Sequence, residues 1–374
     1  MYSESDLAGA VEAGAITPEA ASALRNFVAE RSATPAVDEE HFRLLTGFND
    51  IFVAIAATLI LVATGWIGAY IAGHLVERPG LPQGPVEIGA MASAAGFSVA
   101  VTSWLLAEYF TRQRRMALPS ILLLIGFAGG LFTGFGGLFG ANLPWYAEKL
   151  GIGQQDELAL RQLSGAVMAL VGVLTAAGTW FHWRRFMVPI TVAVGAAALV
   201  GVAVGMVMTA FPASQDWLNP ILLVAGLLVF ALAMRWDLSD RERRTRRSDV
   251  AFWLHLTAAP LIAHPVFRML GVLDGEVSVG IAALVIALYI AFAFVALAVD
   301  RRALLVSSLA YVLWAMYALF ERSGAVELAA AFTALVIGSA LLTLSAFWQP
   351  MRRLVVGTLG DLETRLPPTR TAIA

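Results

Sequence analysis

Residues 235–249 read Arg-Trp-Asp-Leu-Ser-Asp-Arg-Glu-Arg-Arg-Thr-Arg-Arg-Ser-Asp, the one strongly charged run within apolar sequence from residue 49 to 348. Arg235, Arg241, Arg243, Arg244, Arg246 and Arg247 crowd into it. On either side lie uncharged runs of about 20 residues, long enough for a helix to cross a hydrocarbon core. In lipid the backbone must satisfy its own hydrogen bonds, so such runs are helices. A short basic loop stays on the cytoplasmic face, so this one sets the direction of every other segment.

Composition agrees with that constraint. Hydrophobic residues make up 59% of the 374 and charged residues only 14%, against about 25% charged in a soluble domain. The apolar runs are continuous rather than alternating, which excludes a membrane β-barrel. The fold class expected is all-α: a polytopic transmembrane helix bundle of about ten spans, preceded by a short N-terminal cytoplasmic helical hairpin. The expected divisions are 1–32 hairpin, 33–48 linker, 49–348 transmembrane bundle and 349–374 cytoplasmic amphipathic segment.

Ten spans fit the sequence: 50–74, 86–110, 118–140, 162–182, 187–211, 217–236, 251–269, 277–299, 303–320 and 327–347. With the N-terminus inside, the cytoplasmic turns take Arg112, Arg114, Arg115, Arg184, Arg185, the 235–247 group, Arg301, Arg302, Arg352 and Arg353. The outer loops hold only Arg78, Lys149, Arg161 and Arg322, with Arg268 near an outer helix end. Every inner loop is more basic than the outer loops beside it, and a wrong span count would scramble that alternation. The location expected is a bacterial inner membrane with both termini cytoplasmic. The acidic start, with Glu4, Asp6 and Glu12, lacks the basic and apolar pattern of a secretory signal.

The hairpin follows from local signals. Leu7, Ala8 and Val11 recur at helical spacing, and Gly14 is a good stop. Thr17-Pro18-Glu19 then supplies a hydroxyl cap, a proline at the first helical position and an acid in the first turn. At the other end, Val355, Leu359, Leu362 and Leu366 form an apolar stripe over 351–366, expected to lie on the inner membrane surface.

Two features could carry function. In the third span Gly126, Gly130 and Gly134 recur every four residues, which lets helix backbones approach closely and is read as helix packing. A flexible helix lining a path is the alternative reading. The seventh span is the most polar, with His255, Thr257, Pro260, His264, Pro265 and Arg268. At 100° per residue Thr257, His264 and Arg268 share a face, while His255 lies on the opposite one. Ionisable groups inside a membrane segment usually face a cavity or a partner, so these three are the candidate pathway residues. The alternative is that Arg268 reaches the outer surface and pairs with Asp274 or Glu276.

The exclusions are sharper. There is no cysteine, hence no disulfide, thiolate chemistry or Cys-held metal. The sequence has no His-Glu-x-x-His, no Gly-x-Ser-x-Gly, no Walker-type loop and no carboxylate pair at mid-membrane. No catalytic residues, metal or cofactor are expected, and nucleic acid is not an expected partner. The chain is not expected to be an enzyme.

The start, Leu7…Glu12-Ala-Gly-Ala-Ile-Thr-Pro-Glu-Ala-Ala21…Leu24, and Gly47-Phe-Asn-Asp-Ile-Phe-Val53 resemble a group of bacterial membrane proteins named only as domain of unknown function 2157. The resemblance covers about the first 75 residues and the overall hydropathy. It implies a short cytoplasmic helical segment joined to many spans, and no activity or site residue. The functional expectation is a small-solute transporter-like protein. The alternative is a scaffold or sensor acting through its hairpin and through Arg-rich loops that bind anionic lipid headgroups.

Overall fold

The apolar runs fold as helices, because each carries too few charges and breakers to do anything else in lipid. The computed structural model describes residues 4–31, 48–76, 84–153, 155–212, 217–241, 243, 245–272, 278–322, 328–360 and 366–367, and among these there is no strand. The expected linker 33–48 lies outside the described residues except for its last one, Phe48.

The first unit of the chain carries α1 (Glu4–Glu12) and α2 (Pro18–Arg31). Gly14 takes a left-handed conformation between them (φ 69°), which costs glycine nothing. Thr17 Oγ1 accepts the backbone N–H of Ala20 (3.2 Å), so the cap read from the sequence forms.

The second unit, residues 45–374, is the helix bundle. It contains α3 (Phe48–Val76), α4 (Pro85–Ala107), α5 (Ala117–Gly140), the short α6 (Leu143–Lys149), α7 (Glu157–Phe186) and α8 (Ile190–Ala210). It continues with α9 (Leu218–Leu238), α10 (Arg246–Met269), α11 (Val279–Val299), α12 (Ala303–Arg322), α13 (Ala329–Ala346) and α14 (Trp348–Gly357). Among the described residues, nine of these helices are long and apolar enough to cross a membrane. The ninth expected span, 303–320, falls on α12, whose apolar part Ala303–Tyr317 is shorter than the others.

Small residues set how closely the helices approach. A Cβ added at Gly130 of α5 would lie 2.6 Å from the Gly96 carbonyl and 2.8 Å from the Ala100 nitrogen of α4. Gly126 meets Ser103 and Leu61, and Gly134 meets the Phe97 ring. The Gly126–Gly130–Gly134 face is therefore pressed against α4, leaving no room along it for a path. Gly136 and Gly140, on the adjoining face, have open space instead. The same device joins α7 to α8, where Gly165 meets the Gly205 carbonyl (2.7 Å), and α9 to α10, where Gly226 meets Leu261 (2.8 Å). Gly201, four residues before Gly205, faces open space.

The seventh span, α10, is the bundle's central helix. Fifty-six per cent of its most apolar window is buried, against at most 33% for any other span. It packs against α8, α9 and α12. Ala251, Ala258, Ala259 and Ala263 are wholly buried, so its packed face is short-chained. Pro260 and Pro265 stand within a continuous helix.

At the arginine-bearing end, the turns are held by specific bonds. The helix α4 passes into a π turn, Glu108–Gln113, and Arg115 adopts φ 53° before α5 begins. Glu108 accepts two bonds from Arg185 at the end of α7, 2.7 Å from Nε and 2.8 Å from Nη2. Val188 and Ile190 then pack with Leu124 and Trp253, joining this corner to α10. The turns Arg114–Pro119 and Arg184–Pro189 share an Arg-Arg-x-x-x-Pro spacing but differ in backbone. The left-handed residue is Arg115 in one and Met187 in the other, two positions out of register.

The C-terminal helix departs from expectation. The helix α14 begins at Trp348 and stops at Gly357, and Gly360 turns left-handed (φ 56°). The expected helix over 351–366 is therefore shorter and starts earlier, and Leu362 of its stripe lies outside the described residues. Arg352, expected to flank or oppose the apolar stripe, is wholly buried beside Val356 and Trp348.

Candidate functional site

Among the described residues, most of the buried charges gather where α9, α10, α11, α12 and α14 end together. Asp237 is the penultimate residue of α9 and is 1% exposed. Its Oδ1 accepts Arg301 Nη2 (2.5 Å) and its Oδ2 accepts Arg301 Nε (3.1 Å). The same Oδ2 lies 3.0 Å from His255 Nε2 of α10. Arg301 also donates to the Ser248 carbonyl (3.2 Å), and the His255 ring stands edge-on to Phe230 at 5.1 Å. One carboxylate thus binds α9, α10 and the turn between α11 and α12.

Next to it is a second carboxylate, Asp300, in a left-handed conformation (φ 58°) just past α11. Glycine is the usual residue at such a helix end, but glycine would have no side chain to offer here. Asp300 Oδ2 accepts Arg243 Nη1 (2.9 Å), and its backbone carbonyl accepts Arg243 Nη2 (3.1 Å). Its Oδ1 accepts the Trp348 indole N–H (2.7 Å) and pairs with Arg352 Nε at 3.5 Å. Arg352 Nη2 donates to the Pro367 carbonyl (2.6 Å), and Arg241 Nη2 donates to the Leu366 carbonyl (2.8 Å). Arg302 lies over the Trp348 ring, 4.7 Å from its centre. Asp240 Oδ2 closes the 240–245 loop by accepting both the N–H and the hydroxyl of Thr245.

Both carboxylates accept bonds from guanidinium, imidazole and indole donors. Among the described residues no group of three His, Cys, Asp or Glu side chains could hold a metal ion. Buried charges are costly unless paired and hydrogen-bonded. These are both, so they fix which helix ends meet. The basic stretch expected to form a cytoplasmic loop spends Arg241 and Arg243 on contacts within the chain.

The predicted pathway residues lie elsewhere. His264 is exposed on the outside of α10, with Nδ1 2.6 Å from the Tyr311 hydroxyl of α12. Thr257 is half-buried and donates to the Trp253 carbonyl of its own helix (3.0 Å). Arg268 is exposed near the helix end. The three do not converge on a cavity. The histidine of α10 that is enclosed by other groups is His255, the one placed by its spacing on the opposite face.

Sequence reasoning missed Asp237, Arg243, Asp300, Arg301, Trp348 and Arg352 as one group. A signal existed: Asp237 and Asp300 fall beside arginines at span ends on the same predicted side, and opposite charges at one depth can pair. A cavity of about 350 Å³ lies at the arginine-bearing end, lined by Asn49, Tyr109, Phe110, Arg114 and Met116. Comparison with protein-family models, with curated proteins and with solved structures found no match to this chain.

Proposed function

We propose that this chain is a multi-pass inner-membrane protein with ten spans and both termini cytoplasmic, working as a membrane scaffold or sensor module rather than as a solute carrier. It is proposed to have no catalytic role. The likeness of its N-terminal stretch to domain of unknown function 2157 belongs to the same reading.

One observation carries the choice between scaffold and carrier. A carrier of polar solutes needs polar groups on a wet path near mid-membrane, commonly on broken helices. Here the enclosed polar side chains at the α9–α12 ends are consumed in an ionic cluster, and the Pro-bearing helix α10 turns His264 outwards to a single tyrosine. The face of α5 that could have lined a path is filled by α4. The basic end of the bundle leaves Arg112, Arg115, Arg184 and Arg247 exposed for partners, and α1 and α2 are proposed to act as a second contact.

The absence of cysteine makes the test direct. Single cysteines placed at 255, 257 and 264 in intact cells are treated with a small, water-borne, thiol-reactive reagent. The scaffold reading expects no labelling at any of the three. Labelling at 257 and 264 that a solute suppresses would establish a path and return the protein to the carriers.

A further inference from the structure

We propose that the cavity at the π turn is a binding site for the phosphate headgroup of an anionic phospholipid, in the leaflet at the arginine-bearing end. This rests on the membrane-spanning reading given above and adds a ligand class to it.

The π turn builds the site. A backbone of wider pitch closes bonds five or more residues back, as Arg114 N–H does to the Tyr109 carbonyl (3.0 Å) and Met116 N–H to the Phe110 carbonyl (3.1 Å). Such turns are rare and frequently mark functional positions. This one sets Tyr109, Phe110 and Arg114 beside Asn49 in the first turn of α3, and together with Met116 they line a half-open pocket of about 350 Å³.

The charge accounting singles out Arg114. Glu108 is occupied by Arg185 and by Arg112 (3.5 Å), and the buried Asp50 beside Asn49 already has a partner. Arg114 has no carboxylate partner among the described residues. Its Nε donates to the Tyr109 hydroxyl (3.0 Å) and its guanidinium lies 5.4 Å from that ring's centre. Those contacts orient the guanidinium and leave both Nη groups available, the fork that suits a phosphate oxygen pair. Asn49 adds an amide donor on the other wall. Phe110 and the buried Met116 give an apolar flank for the glycerol and first acyl carbons. Place decides between a lipid and other anions: the cavity is at helix ends of a membrane-crossing bundle, where lipid phosphates lie and basic side chains attract anionic headgroups.

The experiment uses the full chain, purified and delipidated in neutral detergent. Phosphatidylglycerol, phosphatidylcholine and inorganic phosphate are titrated separately and retained ligand is counted by native mass spectrometry. Phosphatidylglycerol should bind at one saturable site, with phosphatidylcholine clearly weaker. Arg114→Gln should weaken phosphatidylglycerol binding about fivefold, the loss expected for one surface arginine. Arg247→Gln, which removes an exposed arginine in the first turn of α10, away from the site's lining, should change it little. Tyr109→Phe removes the hydroxyl that orients Arg114 and should weaken binding by a smaller factor, so it also serves if Arg114→Gln folds poorly. Equal losses from Arg247→Gln would mean diffuse attraction and overturn the site. Unchanged binding in both Arg114→Gln and Tyr109→Phe would overturn it too. If inorganic phosphate alone binds as tightly as the lipid, the ligand is a free anion and the lipid assignment fails. None of these results depends on thiol labelling at 257 or 264, so the site and the scaffold reading fail separately.

Discussion

Asp237 and Arg301, 64 residues apart in sequence, meet through two hydrogen bonds of 2.5 and 3.1 Å at the shared end of α9 and α11. Neither is more than 5% exposed at its side chain. With His255 on the other side of the carboxylate, this pair decides how three elements of the bundle end together.

The two histidines of α10 should exchange the importance that helical spacing alone assigns them. His255→Ala should destabilise the folded protein by about 2–4 kcal/mol, because it removes a bond to a buried carboxylate and leaves a gap. His264→Ala loses one bond at an exposed position and should cost about 1 kcal/mol or less. Thermal unfolding in detergent, followed by size-exclusion recovery, measures both. Equal losses in the two variants would contradict the assignment.

Packing of α5 makes a contrast within a single helix. Gly130→Leu should cost about 3 kcal/mol or more, or prevent assembly, since even a methyl group there would press on the Gly96 carbonyl at 2.6 Å, and overpacking typically costs about 1–3 kcal/mol where side chains can give. Gly136→Leu, six residues on and facing open space, should fold with near wild-type yield. If both variants behave alike, backbone contact between α4 and α5 is not what holds this corner.

Asp300 tests whether its side chain or its backbone matters more. Asp300→Gly relieves a left-handed conformation that costs an L-residue about 1–2 kcal/mol. It also strips Arg243, Arg352 and Trp348 of a shared acceptor, and breaking a buried pair costs about 3–5 kcal/mol. The net result should be a loss of stability. Trp348→Phe, which deletes the indole N–H bond and shrinks the buried ring under Arg302, should lose at least about 1.5–3 kcal/mol. A stabilised Asp300→Gly variant would show that the carboxylate contributes nothing.

Orientation can be read from reporter fusions. Fusions after residues 115, 186, 245 and 302 should all read cytoplasmic, and those after 80, 150, 215 and 274 periplasmic. The ion pairs Glu108–Arg185 and Asp237–Arg301 already require their helix ends to lie at one level. One internal site reading opposite to this alternation, with its neighbours unchanged, would remove the ten-span account.

Hydropathy made much of this architecture legible, because lipid leaves a continuous apolar run little choice but a helix. The glycine contacts were legible as well: a four-residue spacing has one obvious physical use in lipid, and Gly126, Gly130 and Gly134 are pressed on α4. The cluster was not, for a reason particular to charged residues near span ends. Asp237, Asp300 and Arg301 each have a complete explanation as boundary residues when taken singly. Their pairing depends on which helices are neighbours, and periodicity carries no information about that. Arg352 was hidden in another way, since its helix starts three residues before the predicted amphipathic stretch and so presents a different face. His255 and His264 were correctly placed on different faces, but the sequence could not say which of the two was covered.

Whether the buried ion pair joins the helix ends is measured by a double-mutant cycle on Asp237 and Arg301, using Asp237→Asn, Arg301→Gln and the pair together. Reversible unfolding in detergent gives the stabilities. If the buried ion pair holds the helix ends together, each single change strands a charge and is strongly destabilising. The double variant then falls short of the sum by more than about 1.5 kcal/mol, the coupling typical of residues in direct contact. Losses that add to within about 0.5 kcal/mol would mean that the two residues act independently, and the cluster would not be what joins α9 to the turn after α11.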